Sequence, residues 1–171
     1  MNKDILNQFK NLNNNNYINQ TKIYKDGKYI GEIKNDKREG RGIFYCNNGD
    51  RYEGDWKNDV KEGKGIYYYN NDDKYEGDWK NNIRSGKGVY YFNNGDKYEG
   101  DFQNGLREGR GIFYWNNGDR YEGEWENSKK KGKGIYYYNN GAREMGDYLN
   151  DKRIGNHVKL HSNGKITVNY Y

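Results

Sequence analysis

Proline is missing from this chain of 171 residues, and cysteine occurs once, at Cys46. A lone cysteine excludes an internal disulfide and points to a reducing compartment. The lack of proline leaves strand pairing uninterrupted. Long apolar runs are absent too, so neither a signal peptide nor a membrane-spanning helix is expected. Only 32% of residues are hydrophobic, 32% are charged and mean hydropathy is −1.50. Such values ordinarily mark disorder, because too little apolar surface offsets chain entropy. Opposing this, aromatics reach 17% with Tyr contributing 20 residues. They also recur on a strict beat.

Tyr-Glu-Gly-Asp-Trp-Lys-Asn at Tyr52–Asn58 returns unchanged at Tyr75–Asn81, with close relatives opening at Tyr98 and Tyr121. Blocks of 23 residues begin at Tyr29, Tyr52, Tyr75, Tyr98, Tyr121 and, degraded, Glu144, filling residues 29–166. A repeat protein needs no globular core, since each unit buries its face on its neighbours. The net charge of +5 is spread so that signs cancel block by block. No basic stripe for nucleic acid emerges, and Lys129–Lys131 with Lys133 form only a local cluster.

Each block reads as two short strands joined by a polar link (Lys57–Glu62) and closed by an Asn-Asn-Gly turn. A type I turn ending on a left-handed glycine at Gly49 makes a three-residue loop. With that loop Arg41 faces Asp55, Lys64 faces Asp78, Lys87 faces Asp101, Arg110 faces Glu124 and Lys133 faces Asp147. Opposite charges make good cross-strand neighbours, which favours this register.

In the same register Gly42, Gly54, Gly65, Gly77, Gly88, Gly100, Gly111 and Gly123 form a row crossing the strands. Aromatics border it: Tyr52, Trp56, Tyr75, Trp79, Tyr98, Phe102, Tyr121 and Trp125, with Phe44, Tyr67, Tyr90, Phe113 and Tyr136. We therefore expect a groove with a bare glycine floor and aromatic walls, suited to a partner helix or extended peptide. The opposite face carries Ile43, Ile66, Val89, Ile112 and Ile135 among ion pairs.

Tyr-Glu-Gly-Asp/Glu-Trp, then Gly-Lys/Arg-Gly, then Asn-Gly-Asp resembles the MORN repeat (membrane occupation and recognition nexus). The resemblance covers residues 29–166, with partial strands at Thr21–Lys28 and Lys165–Tyr171. It implies an all-β fold: an elongated single-layer antiparallel meander of stacked hairpins over residues 21–171. It also implies a scaffold or adaptor that binds other proteins of a large cytoskeletal assembly, in the cytoplasm, at a ciliary axoneme or the cell cortex. Family members that are enzymes carry a separate domain for which this chain has no space, so no enzyme is expected. Several members dimerise end to end, and Glu144, Met145, Lys159 and His161 make block six a candidate cap or homodimer contact. A peripheral membrane protein binding phosphoinositides is the alternative, disfavoured by the charge cancellation.

No cofactor or metal is expected. His157 and His161 fall on a strand with no third ligand in sight. Glu53 and Asp55 repeat with lysine opposite, which reads as sheet pairing and not as acid–base machinery. Cys46 shares its place in the block with Tyr69, Phe92, Trp115 and Tyr138, so its thiol reads as buried and inert. Residues 1–20 differ in kind: Ile5, Leu6, Phe9 and Leu12 suit a short amphipathic helix on an asparagine-rich linker, or a disordered arm. We expect this helix to dock on a partner.

Overall fold

A computed structural model describes residues 18–171. The helix expected over Ile5–Leu12 lies outside the described residues. All described strands join one antiparallel sheet in which each pairs with its chain neighbours, fourteen in sequence order. They are β1 (Ile18–Tyr24), β2 (Gly27–Lys34), β3 (Lys37–Cys46), β4 (Arg51–Lys57) and β5 (Val60–Tyr68). Next come β6 (Lys74–Lys80), β7 (Ile83–Tyr91), β8 (Lys97–Gln103), β9 (Leu106–Tyr114) and β10 (Arg120–Glu126). The last are β11 (Lys129–Tyr137), β12 (Arg143–Leu149), β13 (Lys152–Leu160) and β14 (Ile166–Tyr170). Residues 18–20, expected in the linker, are the start of β1.

From β2 onward two kinds of hairpin alternate. At Asn47–Gly49 the Gly49 N–H donates to Cys46 O (3.1 Å) and Cys46 N–H to Asp50 O (2.9 Å), with Gly49 at φ 95°. This is the three-residue loop, and every charged residue it set opposite another stands in that register, from Arg41 with Asp55 to Lys133 with Asp147. The other hairpin departs from expectation. The link at Lys57–Glu62 is largely strand, closed by Asn58 and Asp59 alone, at φ 49° and 70°. Two consecutive left-handed residues match the right-handed strand twist, and Asn and Asp tolerate that region. The surplus residues go into a bulge around Gly63, at φ 98°. Being even in number, they leave the side-chain parity intact, so Gly54 still pairs with Gly65.

The core occupies one face only. Tyr29, Phe44, Tyr52, Trp56, Tyr75, Trp79, Tyr98, Phe102, Phe113, Tyr121, Trp125 and Tyr148 form a continuous buried layer over the strands. The layer is one side chain thick, so it has to seal itself ring against ring.

Candidate functional site: a glycine-floored trough and an aromatic face

The glycine row is present across the sheet, Gly31 to Gly42, Gly54, Gly65, Gly77, Gly88, Gly100, Gly111, Gly123 and Gly134. Its aromatic side, however, is not an open groove. Tyr52, Tyr75, Tyr98 and Tyr121 are 0% exposed because each ring lies flat over the glycines. A Cβ at Gly65 would stand 2.3 Å from the Tyr52 hydroxyl and 2.5 Å from its ring carbons. Each hydroxyl is anchored, Tyr52 donating to Asp55 O (3.0 Å) and Tyr75 to Asp78 O (2.9 Å). Burial pushes these phenols well above their usual pKa, so they stay neutral donors.

The indoles finish the seal. Trp56 Nε1–H donates to Gly42 O (3.2 Å), Trp79 to Gly65 O (3.1 Å) and Trp125 to Gly111 O (3.1 Å). Tyr52 meets Trp56 and Trp79 edge to face, both at 5.2 Å, and the alternation continues along the sheet. Edge-to-face pairs add about 0.5–1.5 kcal/mol each beyond burial. The expected aromatic walls are therefore a lid on that side of the floor. The parity reading named the right face but carries no rotamer, and the rotamer closes the channel. Phe44 and Phe113 are buried with this layer, whereas Tyr67, Tyr90 and Tyr136 are half-buried in an outer row. That row zigzags through Tyr69, Phe92, Trp115 and Tyr138 at 4.6–5.8 Å.

The floor is open from the other side. A trough of about 1540 Å³ runs from Arg41–Ile43 to Asn156, lined by glycine backbone from Gly42 to Gly146. Along its centre Ile43, Glu53, Ile66, Glu76, Val89, Glu99, Ile112, Glu122 and Ile135 succeed one another across the strands. Towards β13 the alternation gives way to the exposed Met145 and Val158. One flank holds the ion pairs Arg41–Asp55 (2.8 Å), Lys64–Asp78 (2.6 Å) and Lys87–Asp101 (2.5 Å). On the other, cations stack on tyrosines: Arg51 over Tyr68 (4.2 Å), Lys74 over Tyr91 (4.1 Å), Arg120 over Tyr137 (4.0 Å). Arg51 also pairs with Glu53 (2.9 Å). The trough thus offers aliphatic side chains alternating with glutamates, flanked by charges of both signs, several of them paired.

Block six departs from the pattern in a coordinated way. Glu144 stands where earlier blocks have the covering tyrosine, and His157 stands where they have the second floor glycine. The imidazole takes over the cover of Gly146, where a Cβ would meet it at 2.4 Å, and its Nε2–H donates to Asp147 O (2.9 Å). Glu144 is buried, accepting from Tyr138 (2.5 Å) and Tyr171 (3.1 Å) with Arg153 Nη2 at 3.4 Å. Burial opposes its charge, but these donors hold its carboxyl below the usual range. His161 Nε2 instead faces Thr167 Oγ1 at 3.0 Å, so the two histidines are not brought together. Among the described residues no cluster of His, Cys, Asp and Glu could hold a metal. Cys46 is half-buried, its thiol pushed up by burial.

The MORN repeat family matches residues 29–51, 52–74, 75–97, 98–120 and 121–143. The chain belongs to the MORN repeat family. Its sixth MORN-like block lies beyond the matched residues, consistent with the altered chemistry of Glu144 and His157. No curated protein matches the chain. Among solved structures, this MORN sheet is similar to the SAS-4 (dCPAP) TCP domain of Drosophila melanogaster, determined with a proline-rich motif of Ana2 (dSTIL). Identity is 17%, TM-score 0.54, and 90% of each chain is covered. A weaker likeness is to the TCP10 domain of Danio rerio CPAP with a peptide of Danio rerio STIL. There identity is 15%, TM-score 0.33, with 90% of this chain and 84% of that one covered. What the Drosophila likeness carries is the fold, a long single-layer meander.

Proposed function

We propose that this MORN protein is a non-catalytic scaffold that holds an extended segment of a protein partner in the trough. The assembly is cytoskeletal and cytoplasmic, at a ciliary axoneme or the cell cortex. The observation that carries the reading is the trough itself, a bare backbone floor along which aliphatic side chains alternate with glutamates, open along β3 to β13. A sheet covered on one face only leaves its other face for a partner, and large uncovered faces are interaction surfaces. The proline-rich peptide bound by the Drosophila domain of like fold is consistent with an extended ligand. Trough charges of mixed sign favour an amphipathic segment over anionic lipid or nucleic acid. The exposed Ile166, Val168 and Tyr170 on β14 support a homodimer contact at that end. The N-terminal residues Ile5, Leu6, Phe9 and Leu12 would dock on a neighbouring protein.

A photo-crosslinking residue at Val89, in the trough, and another at Asn94, on an exposed turn, test this in the native assembly. Capture of one partner segment at Val89, lost on Ile66→Arg with Ile112→Arg, is the expected result. Capture at Asn94 with none at Val89 rejects the trough as the binding site.

A further inference from the structure

Aligning the blocks by position puts a cation at the tenth place of each: Arg38, Lys61, Arg84, Arg107, Lys130 and Arg153. All six reach the aromatic face, opposite the trough, and lie on rings. Arg84 is 5.2 Å from Tyr90 and 5.7 Å from Phe102; Arg107 is 5.4 Å from Phe113 and 4.6 Å from Trp125; Lys61 is 4.4 Å from Tyr67. The first five also meet, through backbone or side chain, the eighth residue of the following block, the second residue of a two-residue turn. At Asp59 that residue serves as counter-ion: Arg38 Nε lies 3.2 Å from Asp59 Oδ1. Asp151 fills the same place beside Lys130, accepting its backbone N–H at 2.9 Å.

Between these ends the acid is missing. Asn82, Gly105 and Ser128 occupy the place beside Lys61, Arg84 and Arg107. Arg84 Nη2 donates to Gly105 O and Arg107 Nη2 to Ser128 O, both at 2.7 Å. Among the described residues no carboxylate lies within ion-pair distance of these three cations. Arg84 and Arg107 border one shallow cavity of about 220 Å³, with Tyr90, Phe92, Phe102, Gly105 and Ser128. Burial depresses the Arg107 guanidinium, and the charge of Arg84 adds to the effect. Two guanidinium forks on an aromatic bed, each with unused N–H donors, make a receptor for an oxyanion.

We propose that Lys61, Arg84 and Arg107 are a docking row for an acidic segment of a partner protein, whose carboxylates take the place of the missing aspartates. Successive cations are two strands apart, about 9.4–9.8 Å. A polyproline II chain turns once in three residues, about 9.3 Å. A glutamate at every third residue of such a segment therefore stays in step with the row. The two heptad turns of an α-helix span about 10.5 Å and drift out of it. Asp59 and Asp151 bound the row, which disfavours a broad anionic membrane surface.

The test uses the full chain and fluorescence anisotropy of a labelled peptide carrying three glutamates, one at every third residue of a proline-rich segment. Comparison peptides carry glutamine at those places or glutamate at every fourth, and a vesicle arm contains anionic lipid without peptide. The decisive variant is Gly105→Asp with Ser128→Asp, which supplies the acids internally. Asp36, Asp59 and Asp151 already sit in this turn position at φ 63°, 70° and 69°, so the fold accepts it. We expect salt-sensitive binding of the three-residue-spaced peptide, weakened at least about tenfold by glutamine and by the double aspartate variant. Val89→Arg, in the trough, leaves that binding unchanged, which separates this site from the trough. Equal binding by the double aspartate variant, indifference to glutamate spacing, or binding to vesicles alone would overturn the proposal.

Discussion

His157 and Glu144 exchange the roles that glycine and tyrosine play in the other blocks. In blocks one to five a phenol leans from position one across the glycine of the next strand and bonds a backbone carbonyl. In block six the covering ring comes from the other strand, bonds the equivalent carbonyl of Asp147, and leaves position one to a carboxylate. Neither change works alone. Glu144→Tyr sets a phenol and an imidazole against each other over Gly146, while His157→Gly uncovers Gly146 and removes the ring packed on Tyr148 at 5.2 Å. Both single variants are expected to lower the urea midpoint. The double variant recovers much of the loss, a coupling of about 0.5–3 kcal/mol in a double-mutant cycle. Additive losses would show that the two residues act separately.

At the scale of the hairpin, the turns form a ladder of their own. Asp50 accepts from the Tyr67 hydroxyl (2.7 Å) and the Asn70 N–H (2.8 Å), and the Asn70 amide donates to Asn48 O (2.9 Å). Asp119 repeats this with Tyr136 (2.7 Å) and Asn139 (2.8 Å). Partial burial would raise both carboxyls, but the donors outweigh it and hold them below their ordinary range. Folding therefore favours the ionised form, and the unfolded chain takes up protons first. The stabilisation is complete above the ordinary carboxylate pKa and is lost as pH falls through the depressed folded values. Urea midpoints measured between about pH 5 and 2.5 should fall for the native chain and fall less for Asp50→Asn with Asp119→Asn. Parallel curves would remove these carboxylates from the account.

The same hairpins show what a sequence discloses. Asn-Asn-Gly fixed the loop length, hence the register, hence every cross-strand charge pair and the glycine row, because strand parity has only two settings. Parity assigned Tyr52 and Gly54 to one face but is silent on whether a ring stands beside a glycine or lies over it. So the floor was legible and the side on which it is open was not. The strand within the link at Lys57–Glu62 is hidden because a bulge at Gly63 absorbs residues without altering parity. The cation row is invisible in the charge of whole blocks, where signs cancel, and stands out only down the repeat columns, where they do not. The paired substitution at Glu144 and His157 was visible in those columns too.

At the scale of the molecule, strand order equals chain order throughout. Among the described residues every block rests on its chain neighbours, so stability is close to a sum of local terms. Removing residues 75–97 joins Lys74 to Tyr98 and preserves parity, turn and cover. The shortened chain should keep its β circular dichroism per residue and unfold at a modestly lower urea concentration. Removing only residues 75–86 leaves strands that present the wrong face, and cooperative unfolding should disappear. Retained cooperativity in the second deletion would show that the beat is not a folding requirement.

Neighbour-only pairing also sets how the protein answers force. Tension between its two extremities runs parallel to the interstrand hydrogen bonds, so a load peels the outermost strand away before reaching the next. Such a tether gives way in small successive steps and re-zips from whichever hairpin still stands, which suits a spacer between components that shift against each other.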